Sequence, residues 1–196
     1  MTRAYTRAEP DARRHSLIEA AARVLGERGA GGASVRTICA AAGVSPGLLR
    51  HYFDGIDALI AAAYAAVGER VGRALDEAVA AAGDDPRARL MAYVTASFRA
   101  PIADPALLAT WIAFWSLVRS NARMEAMHRE VYADYLRGAE ALLAECGVAP
   151  AEARMHAVAV TALVDGLWLE LCLAPGIFTG EEASATAEKW IETLLA

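Results

Sequence analysis

Eleven consecutive residues, GVSPGLLRHYF at positions 43–53, combine groups that can bind a polyanion. Ser45 precedes Pro46, and proline is tolerated at the first position of a helix, so a short helix is expected to begin here. The Ser45 hydroxyl group and the unpaired N–H groups of the first turn form a natural seat for a phosphate. Gly47 allows a close approach of the backbone. The outward-facing residues of this helix are predicted to be Pro46, Gly47, Leu48, Arg50 and His51.

A second set of candidate residues is aromatic. Trp111, Phe114 and Trp115 fall within five residues, and Trp168 follows Asp165 by three. Each aromatic face attracts an ammonium group by about 0.5–2 kcal/mol, and a carboxylate would complete such a site. These five residues therefore predict a pocket for a cation. The same spacing also suits an aromatic core stripe, and Asp165 could instead lie at a helix–helix interface. Other aromatic residues of this region are Tyr93, Tyr132 and Tyr135.

These groups must be positioned by helices, because apolar residues recur at helical spacing along most of the chain. Gly43 permits the left-handed backbone of a tight turn, and Val44 and Leu49 are expected to fill the angle between the helices that flank it. Such a turn, followed by a helix with a Ser N-cap, is a helix-turn-helix pattern. We predict an all-α fold of about nine helices: three short ones, then six longer ones. The expected ranges are 11–29, 34–42, 46–53, 56–82, 86–98, 105–118, 122–145, 151–173 and 180–195.

Charge is distributed unevenly along the 196 residues. The net charge is −5, which by itself disfavours a polyanionic partner. Residues 1–60, however, hold eight arginines against six acidic residues, which is +2. The remainder holds eleven basic and eighteen acidic residues, which is −7. The N-terminal third is therefore the part that could suit a nucleic acid.

The three cysteines, Cys39, Cys146 and Cys172, are widely spaced. An odd, scattered set favours reduced thiols in the cytosol over a disulfide framework, and it has no zinc-site spacing. The longest apolar runs, ALIAAAYAAV and AVAVTALV, are too short to span a bilayer, and the N-terminus has no signal peptide pattern. We predict a soluble cytoplasmic protein with no membrane association, no metal, no cofactor and no catalytic residue.

The stretch ASVRTICAAAGVSPGLLRHYF, followed by ALIAAA, resembles the DNA-binding domain of TetR-family transcriptional repressors over residues about 13–60. The resemblance implies a helix-turn-helix domain at 1–55 and a helical ligand-binding and dimerisation domain at 56–196. It implies that Arg36 reaches a base or a phosphate, and that Arg50 reads guanine, with about 1–3 kcal/mol of discrimination. The other residues that match base-facing or backbone-contacting positions are Ser45, Pro46, Gly47, Leu48, His51 and Tyr52.

Three short stretches, GLLRHYF, AFWSL and ALVDGLWLEL, are most similar to the choline-responsive BetI repressors within that family. This resemblance implies a repressor that binds a palindromic operator as a dimer and is released by choline or another cationic metabolite. It implies that the dimer forms through residues about 151–173 and 180–195. The implied ligand-binding residues are Trp111, Phe114, Trp115, Asp165 and Trp168.

One position departs from the family pattern. The family usually has a phosphate-contacting lysine where this chain has Ile56, between Gly55 and Asp57. Isoleucine cannot neutralise a phosphate, so binding is expected to be weaker and its salt dependence smaller by about one unit. Four arginines are expected to compensate from the N-terminal arm and the first helix: Arg3, Arg7, Arg13 and Arg14.

Three other interpretations are compatible with the sequence. A helical enzyme could use His128 and His156 with nearby glutamates as metal ligands, although ExxH occurs once and a two-metal bundle site needs it twice. A helical interaction module could have lost DNA binding, as the acidic Asp54 and Asp57 would suggest. A regulator of the same family could sense an unrelated apolar, drug-like ligand.

Overall fold

A computed structural model describes residues 9–195, with the side chains of the first two left out. This range contains nine α-helices and no strand, so the all-α prediction is confirmed. Most helix bounds lie within one or two residues of the predicted ones. The helices are α1 (Glu9–Gly32), α2 (Val35–Ala42), α3 (Pro46–Tyr52), α4 (Gly55–Ala81), α5 (Pro86–Ala96), α6 (Pro105–Val118), α7 (Ala122–Glu145), α8 (Pro150–Leu173) and α9 (Gly180–Leu194).

Side-chain caps define several helix starts. The hydroxyl group of Ser34 accepts a hydrogen bond from the N–H of Thr37, and the Thr37 hydroxyl accepts one from the N–H of Ser34. Thr179 and Glu182 form the same reciprocal arrangement at α9, so the capping box predicted there is confirmed. Asp85 caps α5 at the N–H of Ala88. These bonds satisfy N–H groups that have no partner inside the helix.

Glycines end or bend the first two helices. Gly29 has φ +65° and interrupts α1 at the predicted point, although the helix resumes and continues to Gly32. Gly43 ends α2 with φ +66° and ψ +31°, a left-handed conformation that a side chain would strain. The N–H groups of Gly43 and Val44 bond back to the carbonyl groups of Ala40 and Cys39. The tight turn between α2 and α3 is therefore confirmed.

The chain forms two compact units, which we call the first and the second unit. The first unit holds the described residues up to Val67 together with 109–128, and the second unit holds 68–108 together with the described residues from Arg129 onward. Thus α4, α6 and α7 each contribute to both units. The functional division predicted at residues 55 and 56 falls inside the first unit and stays a prediction.

Each unit has its own apolar core. In the first unit α1 packs on α2 and α2 packs on α3, and Leu17, Ile38 and Leu49 are fully buried. In the second unit α9 packs on both α5 and α8. Leu90 of α5 and Ile191 of α9 are fully buried there. The two-turn helix α3 therefore rests on a core that α1 and α2 supply.

Helix α8 is unusually apolar for its exposure. It has 24 residues, and its most apolar 18-residue window has a mean hydropathy of 1.5 with 28% of the window buried. Within residues 9–195 it is the one helix that passes a length-and-composition test for a membrane span. The uninterrupted apolar run within this helix is too short to span a bilayer, whereas the whole helix, which includes a few charged residues, is long enough. Core helices pass the same test, so the finding is weak evidence for a membrane span.

Candidate DNA-binding and ligand-binding sites

The apolar side of α3 is anchored in the first unit. Leu49 is fully buried and Phe53, directly after the helix, is 7% exposed. Val44, in the turn before the helix, is half-buried. These residues hold a helix of seven residues that would be too short to form on its own. The predicted core roles of Leu49 and Phe53 are confirmed.

The opposite side of α3 is open to solvent. Pro46, Gly47, Arg50 and His51 are exposed, while Leu48 is half-buried. The side chain of Arg50 makes no hydrogen bond or ion pair with any residue in the described part of the chain. The side chains of this face can therefore reach an external surface. A long, unpaired guanidinium group can form two parallel hydrogen bonds to one guanine.

Ser45 and Tyr52 lie at the two ends of α3. The Ser45 oxygen accepts a hydrogen bond of 3.3 Å from the N–H of Leu48, so the predicted N-cap is confirmed. Its hydroxyl hydrogen can still be donated to an external oxygen. Tyr52 is half-buried and meets the ring of His51 edge-to-face at 4.9 Å. Arg36 of α2 is exposed. All eight predicted DNA-contacting residues thus belong to α2, α3 or the turn between them.

The arginines expected to compensate for Ile56 have different surroundings. The guanidinium carbon of Arg14 lies 5.2 Å from the centroid of the Phe53 ring, a cation–π contact. This contact places the positive charge of Arg14 at the ring of Phe53. Phe53 directly precedes the exposed Asp54 and lies three residues before Ile56 along the chain. Arg13 is half-buried. Arg3 and Arg7 lie outside the described residues.

The aromatic residues of α6 belong to the first unit and surround Tyr64 of α4. Tyr64 is 1% exposed and its ring centroid lies 4.9 Å from that of Trp111 and 4.8 Å from that of Phe114. Trp115 lies 6.3 Å from Trp111. Two of the predicted ligand-binding residues, Trp111 and Phe114, thus contact a tyrosine that was not among the predicted site residues, and the third, Trp115, contacts Trp111. Tyr64 could have been identified from helical spacing, because it lies on the same face of α4 as the buried Ile60 and Val67.

Asp165 and Trp168 belong to the second unit. The indole N–H of Trp168 donates a hydrogen bond of 2.9 Å to the carbonyl oxygen of Ser97, at the end of α5. Asp165 is half-buried, and burial raises the pKa of its carboxyl group to about 6. The five residues predicted as one pocket are therefore divided, three in the first unit and two in the second. Asp165 was predicted as a site residue because it is a carboxylate that interrupts an apolar helix.

Two tyrosines of the second unit are affected by the charge of Asp165. Burial raises the pKa of both Tyr132 and Tyr135, and the nearby carboxylate of Asp165 raises it further. The rings of Tyr93 and Tyr135 stack at 5.4 Å, and the Tyr93 hydroxyl donates a hydrogen bond of 2.9 Å to the Tyr135 carbonyl oxygen. A Cβ atom at Gly138 would lie 2.8 Å from that hydroxyl, so a glycine is needed there. These tyrosines belong to the aromatic set that the sequence offered as a core stripe or a pocket wall, but they were not among the five predicted ligand-binding residues.

Metal-ligating groups are dispersed in the described range. No group of three or more His, Cys, Asp or Glu side chains among residues 9–195 is arranged to hold a metal ion. His128, one of the imagined ligands, instead hydrogen-bonds to Tyr64 with 2.8 Å between Nδ1 and the hydroxyl oxygen. Burial lowers the pKa of His128, which favours the neutral ring at pH 7.

Two protein-family models together match most of the chain. Residues 17–63 match the model of bacterial regulatory proteins of the tetR family, and residues 86–196 match that of the BetI-type transcriptional repressor C-terminal domain. The HTH-type transcriptional regulator BetI of Burkholderia thailandensis is 36% identical over 186 residues, which is 94% of each chain. The protein of the same name from Burkholderia ambifaria is 34% identical over the same share.

Solved structures share the fold. A protein from Pseudomonas aeruginosa PAO1, assigned as a transcriptional regulator, is 43% identical, with a TM-score of 0.87 over 96% of this chain and 93% of that one. A protein with the same assignment from Saccharomonospora viridis, solved in complex with choline, has a TM-score of 0.76 over 93% and 96% of the two chains. At 18% identity, the second shares the fold alone.

Proposed function

Since this chain belongs to the TetR family of bacterial transcriptional regulators, with a C-terminal domain of the BetI type, we propose that it is a repressor that binds a palindromic operator as a homodimer. A small cationic metabolite releases it from DNA in this proposal, and choline is the leading candidate. Residues 1–55 bind DNA, and 56–196 bind the ligand and form the dimer. The protein acts in the cytoplasm, where the operator lies, and catalyses no reaction, as its relatives are regulators.

The observation that carries the proposal is the two-sided helix α3. Its inner side is buried through Leu49, while Gly47, Arg50 and His51 are exposed on its outer side. A recognition helix needs this arrangement, because a rigid support lets a few side chains enter the major groove in a defined register. Arg36, Ser45 and Tyr52 flank this surface as contacts to bases or to the sugar-phosphate backbone, and Pro46 and Leu48 belong to it.

A homodimer is proposed because α8 and α9 leave an apolar surface uncovered. Large apolar residues that are exposed in the described part of the monomer are Met155, Val158, Leu173, Ile177 and Trp190. All five lie in α8, in α9 or in the segment between them. Single exposed apolar residues are common on protein surfaces, but a concentration of them in one region is typical of an interaction surface. A dimer would present two α3 helices to successive major grooves about 34–36 Å apart.

The proposal of a cationic ligand is supported by the chemistry of aromatic and acidic residues in the predicted ligand-binding domain, 56–196. The aromatic residues Trp111, Phe114 and Trp115 of the first unit, and Trp168 beside Asp165 of the second, are the groups that bind ammonium ions in proteins. Ligand and operator would oppose each other by thermodynamic linkage. The choline found in the Saccharomonospora viridis protein belongs to a structure with the same fold.

The proposal is tested by gel-shift titration of the DNA upstream of the gene, with and without choline, at several salt concentrations. We expect a shift that weakens as salt rises, because phosphate contacts release counterions, and that choline reverses. Arg50→Ala should weaken specific binding by about 1–3 kcal/mol, while the matched change Arg73→Ala, on an exposed part of α4 in the second unit, should not. Absence of any salt-dependent shift contradicts DNA binding. A shift that choline leaves unchanged contradicts choline as the ligand.

A further inference from the structure

The guanidinium group of Arg14, near the start of α1, lies at the end of α3. Its central carbon is 5.2 Å from the centroid of the Phe53 ring. Phe53 directly follows α3, is 7% exposed, and donates its N–H to the carbonyl oxygen of Leu49 at 2.9 Å. The ring is thus part of the buried support of α3. A group held against this ring therefore has a defined position relative to that helix.

The hydrogen-bond donors of Arg14 remain available. Arg14 is exposed, and its side chain makes no hydrogen bond or ion pair with any residue between 11 and 195. Arg23 of the same helix, by contrast, donates a hydrogen bond of 3.1 Å to the carbonyl oxygen of Ala41. A cation–π contact attracts the charge to the face of the ring, so it need not use the N–H groups of the guanidinium. Arg14 is therefore a positioned cation that can bind an external acceptor.

The end of α3 would be electronegative without Arg14. Residues 50–57 contain one arginine, Arg50, and two aspartates, Asp54 and Asp57, both of which are exposed. The carbonyl groups at the end of a helix add a partial negative charge. A phosphate that approached this end would be repelled unless another part of the chain supplied a cation. Arg14 supplies one, and it does so without forming an ion pair with Asp54 that would occupy its donors.

The length of α3 indicates what its far end would meet on DNA. In a helix-turn-helix complex, the N-terminal residues of the second helix contact base edges in the major groove. With seven residues, α3 is about 10 Å long, and the major groove is about 12 Å wide. The C-terminal end of α3 would therefore lie near the rim of the groove, where the phosphates are. Arginine binds phosphate through two parallel hydrogen bonds.

We propose that Arg14 binds a phosphate group of the operator backbone at this rim, and that Phe53 is the positioning residue that holds its guanidinium group there. The inference rests on the proposed function, because it requires α3 to lie in the major groove. It extends the DNA-contacting surface from α2 and α3 to the start of α1. The contact carries no sequence information, because a phosphate looks the same at every base pair.

Gel-shift titrations over a range of salt concentrations test the contact with two duplexes, the DNA upstream of the gene and an unrelated duplex of equal length. Arg14→Gln should reduce the slope of log K against log salt by about 0.9 per protomer, which near 0.1 M salt weakens binding by about fivefold to tenfold per protomer. The loss should be equal for both duplexes. Arg14→Lys, which keeps the charge, should retain the slope. Arg50→Ala should mainly weaken binding to the upstream duplex.

Two further variants separate a phosphate contact from other effects. Arg73→Gln removes the same charge at an exposed position of α4 in the second unit, and it should keep the wild-type slope. Phe53→Leu removes the ring but keeps an apolar side chain, so Arg14→Gln should reduce the slope less in that background. Thermal unfolding establishes that each variant is folded. A purely structural role of Arg14 would lower the unfolding temperature and leave the slope unchanged.

The inference is overturned if Arg14→Gln retains the wild-type slope, or if Arg73→Gln reduces the slope equally. If Arg14→Gln has its full effect in the Phe53→Leu background, Phe53 has no positioning role, although the contact of Arg14 stands. A wild-type shift that Arg14→Gln leaves unchanged contradicts this contact and leaves the proposed function intact. If wild-type protein shifts neither duplex at any salt concentration, DNA binding and this contact fail together.

Discussion

The hydroxyl oxygen of Tyr64 lies 2.8 Å from Nδ1 of His128, in the middle of an otherwise apolar cluster of the first unit. The Tyr64 ring contacts Trp111 and Phe114 within 5 Å, so its single polar atom is directed at the histidine. Tyr64 lies on α4, the helix that follows the DNA-reading segment, and His128 lies on α7. This bond therefore joins α4, the helix that follows α3, to α7 within the first unit.

The pair predicts that stability depends on pH through His128. Burial lowers the pKa of this histidine in the folded state, whereas the unfolded chain keeps a pKa of about 6.5. The unfolded chain therefore binds more protons as pH falls below about 6.5, and stability is lost in that direction. Urea unfolding between pH 5 and 8 measures this. His128→Asn, which keeps a hydrogen-bonding atom near Nδ1 but cannot titrate, should show a smaller loss, and an equal loss contradicts the assignment.

Asp165 predicts the opposite trend, because its folded-state pKa is raised from 3.8 to about 6. The contribution of Asp165 to the free energy of unfolding is therefore fully present below about pH 4, and it is lost as pH rises through about 6. Asp165→Asn should therefore stabilise the ligand-free protein at pH 7.5 by up to about 3 kcal/mol, and by almost nothing near pH 4. Thermal and urea unfolding at the two pH values measure the difference. An asparagine variant that is less stable than wild type at pH 7.5 excludes a burial penalty on the carboxylate.

Ile56→Lys should tighten operator binding without changing sequence preference. A lysine at the start of α4 adds one phosphate contact, which raises the slope of log K against log salt by about one unit. Gel-shift titrations at several salt concentrations measure this slope. Ile56→Met, which changes shape but not charge, is the matched control. Equal affinities for Ile56→Lys and the wild-type protein mean that position 56 does not face the DNA backbone.

Gly47→Ala should separate folding from DNA binding. A Cβ atom at Gly47 would lie 3.8 Å from the Ser45 hydroxyl oxygen, which is ordinary contact, so the free protein has room for it. Alanine favours helix over glycine by about 0.5–1 kcal/mol, and the variant should be at least as stable. Operator affinity should nevertheless fall if the backbone of α3 approaches DNA closely at this point. Unchanged operator affinity in a stable variant shows that it does not.

Ala162→Arg should break the proposed dimer. Ala162 is exposed and lies on one side of α8 with the exposed Met155, Gly166 and Leu173. A charge buried without a partner in an interface costs about 3–5 kcal/mol, which weakens association by more than about hundredfold. Size-exclusion chromatography with light scattering measures the oligomer, and gel shift measures the consequent loss of operator affinity. Ala141→Arg, at an exposed position of α7, is the control and should remain dimeric.

The helices and the exposed face of α3 could be predicted because their signals are local. Ser34, Ser45 and Thr179 cap helices through atoms three residues away, and Gly43 takes its left-handed conformation at the predicted turn. The burial of Leu49 and Phe53 and the exposure of Arg50 follow from the turn and from a period of 3.6 residues. Ser45, Pro46 and their sequence neighbours were therefore sufficient to predict where this short helix begins, without knowledge of distant parts of the chain.

The sequence alone thus determined the all-α fold, the family and the bounds and exposed face of α3, because capping, turn geometry and periodicity act over a few residues. The tertiary structure decided how the aromatic and acidic residues are grouped. Trp111 and Phe114 contact Tyr64 in one unit and Trp115 contacts Trp111, whereas Asp165 acts on the pKa of Tyr132 and Tyr135 in the other. Helices distant in the chain create these groupings when they pack, and burial then leaves the oxygens of Tyr135 and Thr161 without partners. Periodicity shows that a residue faces inward, but it does not show which helix it meets.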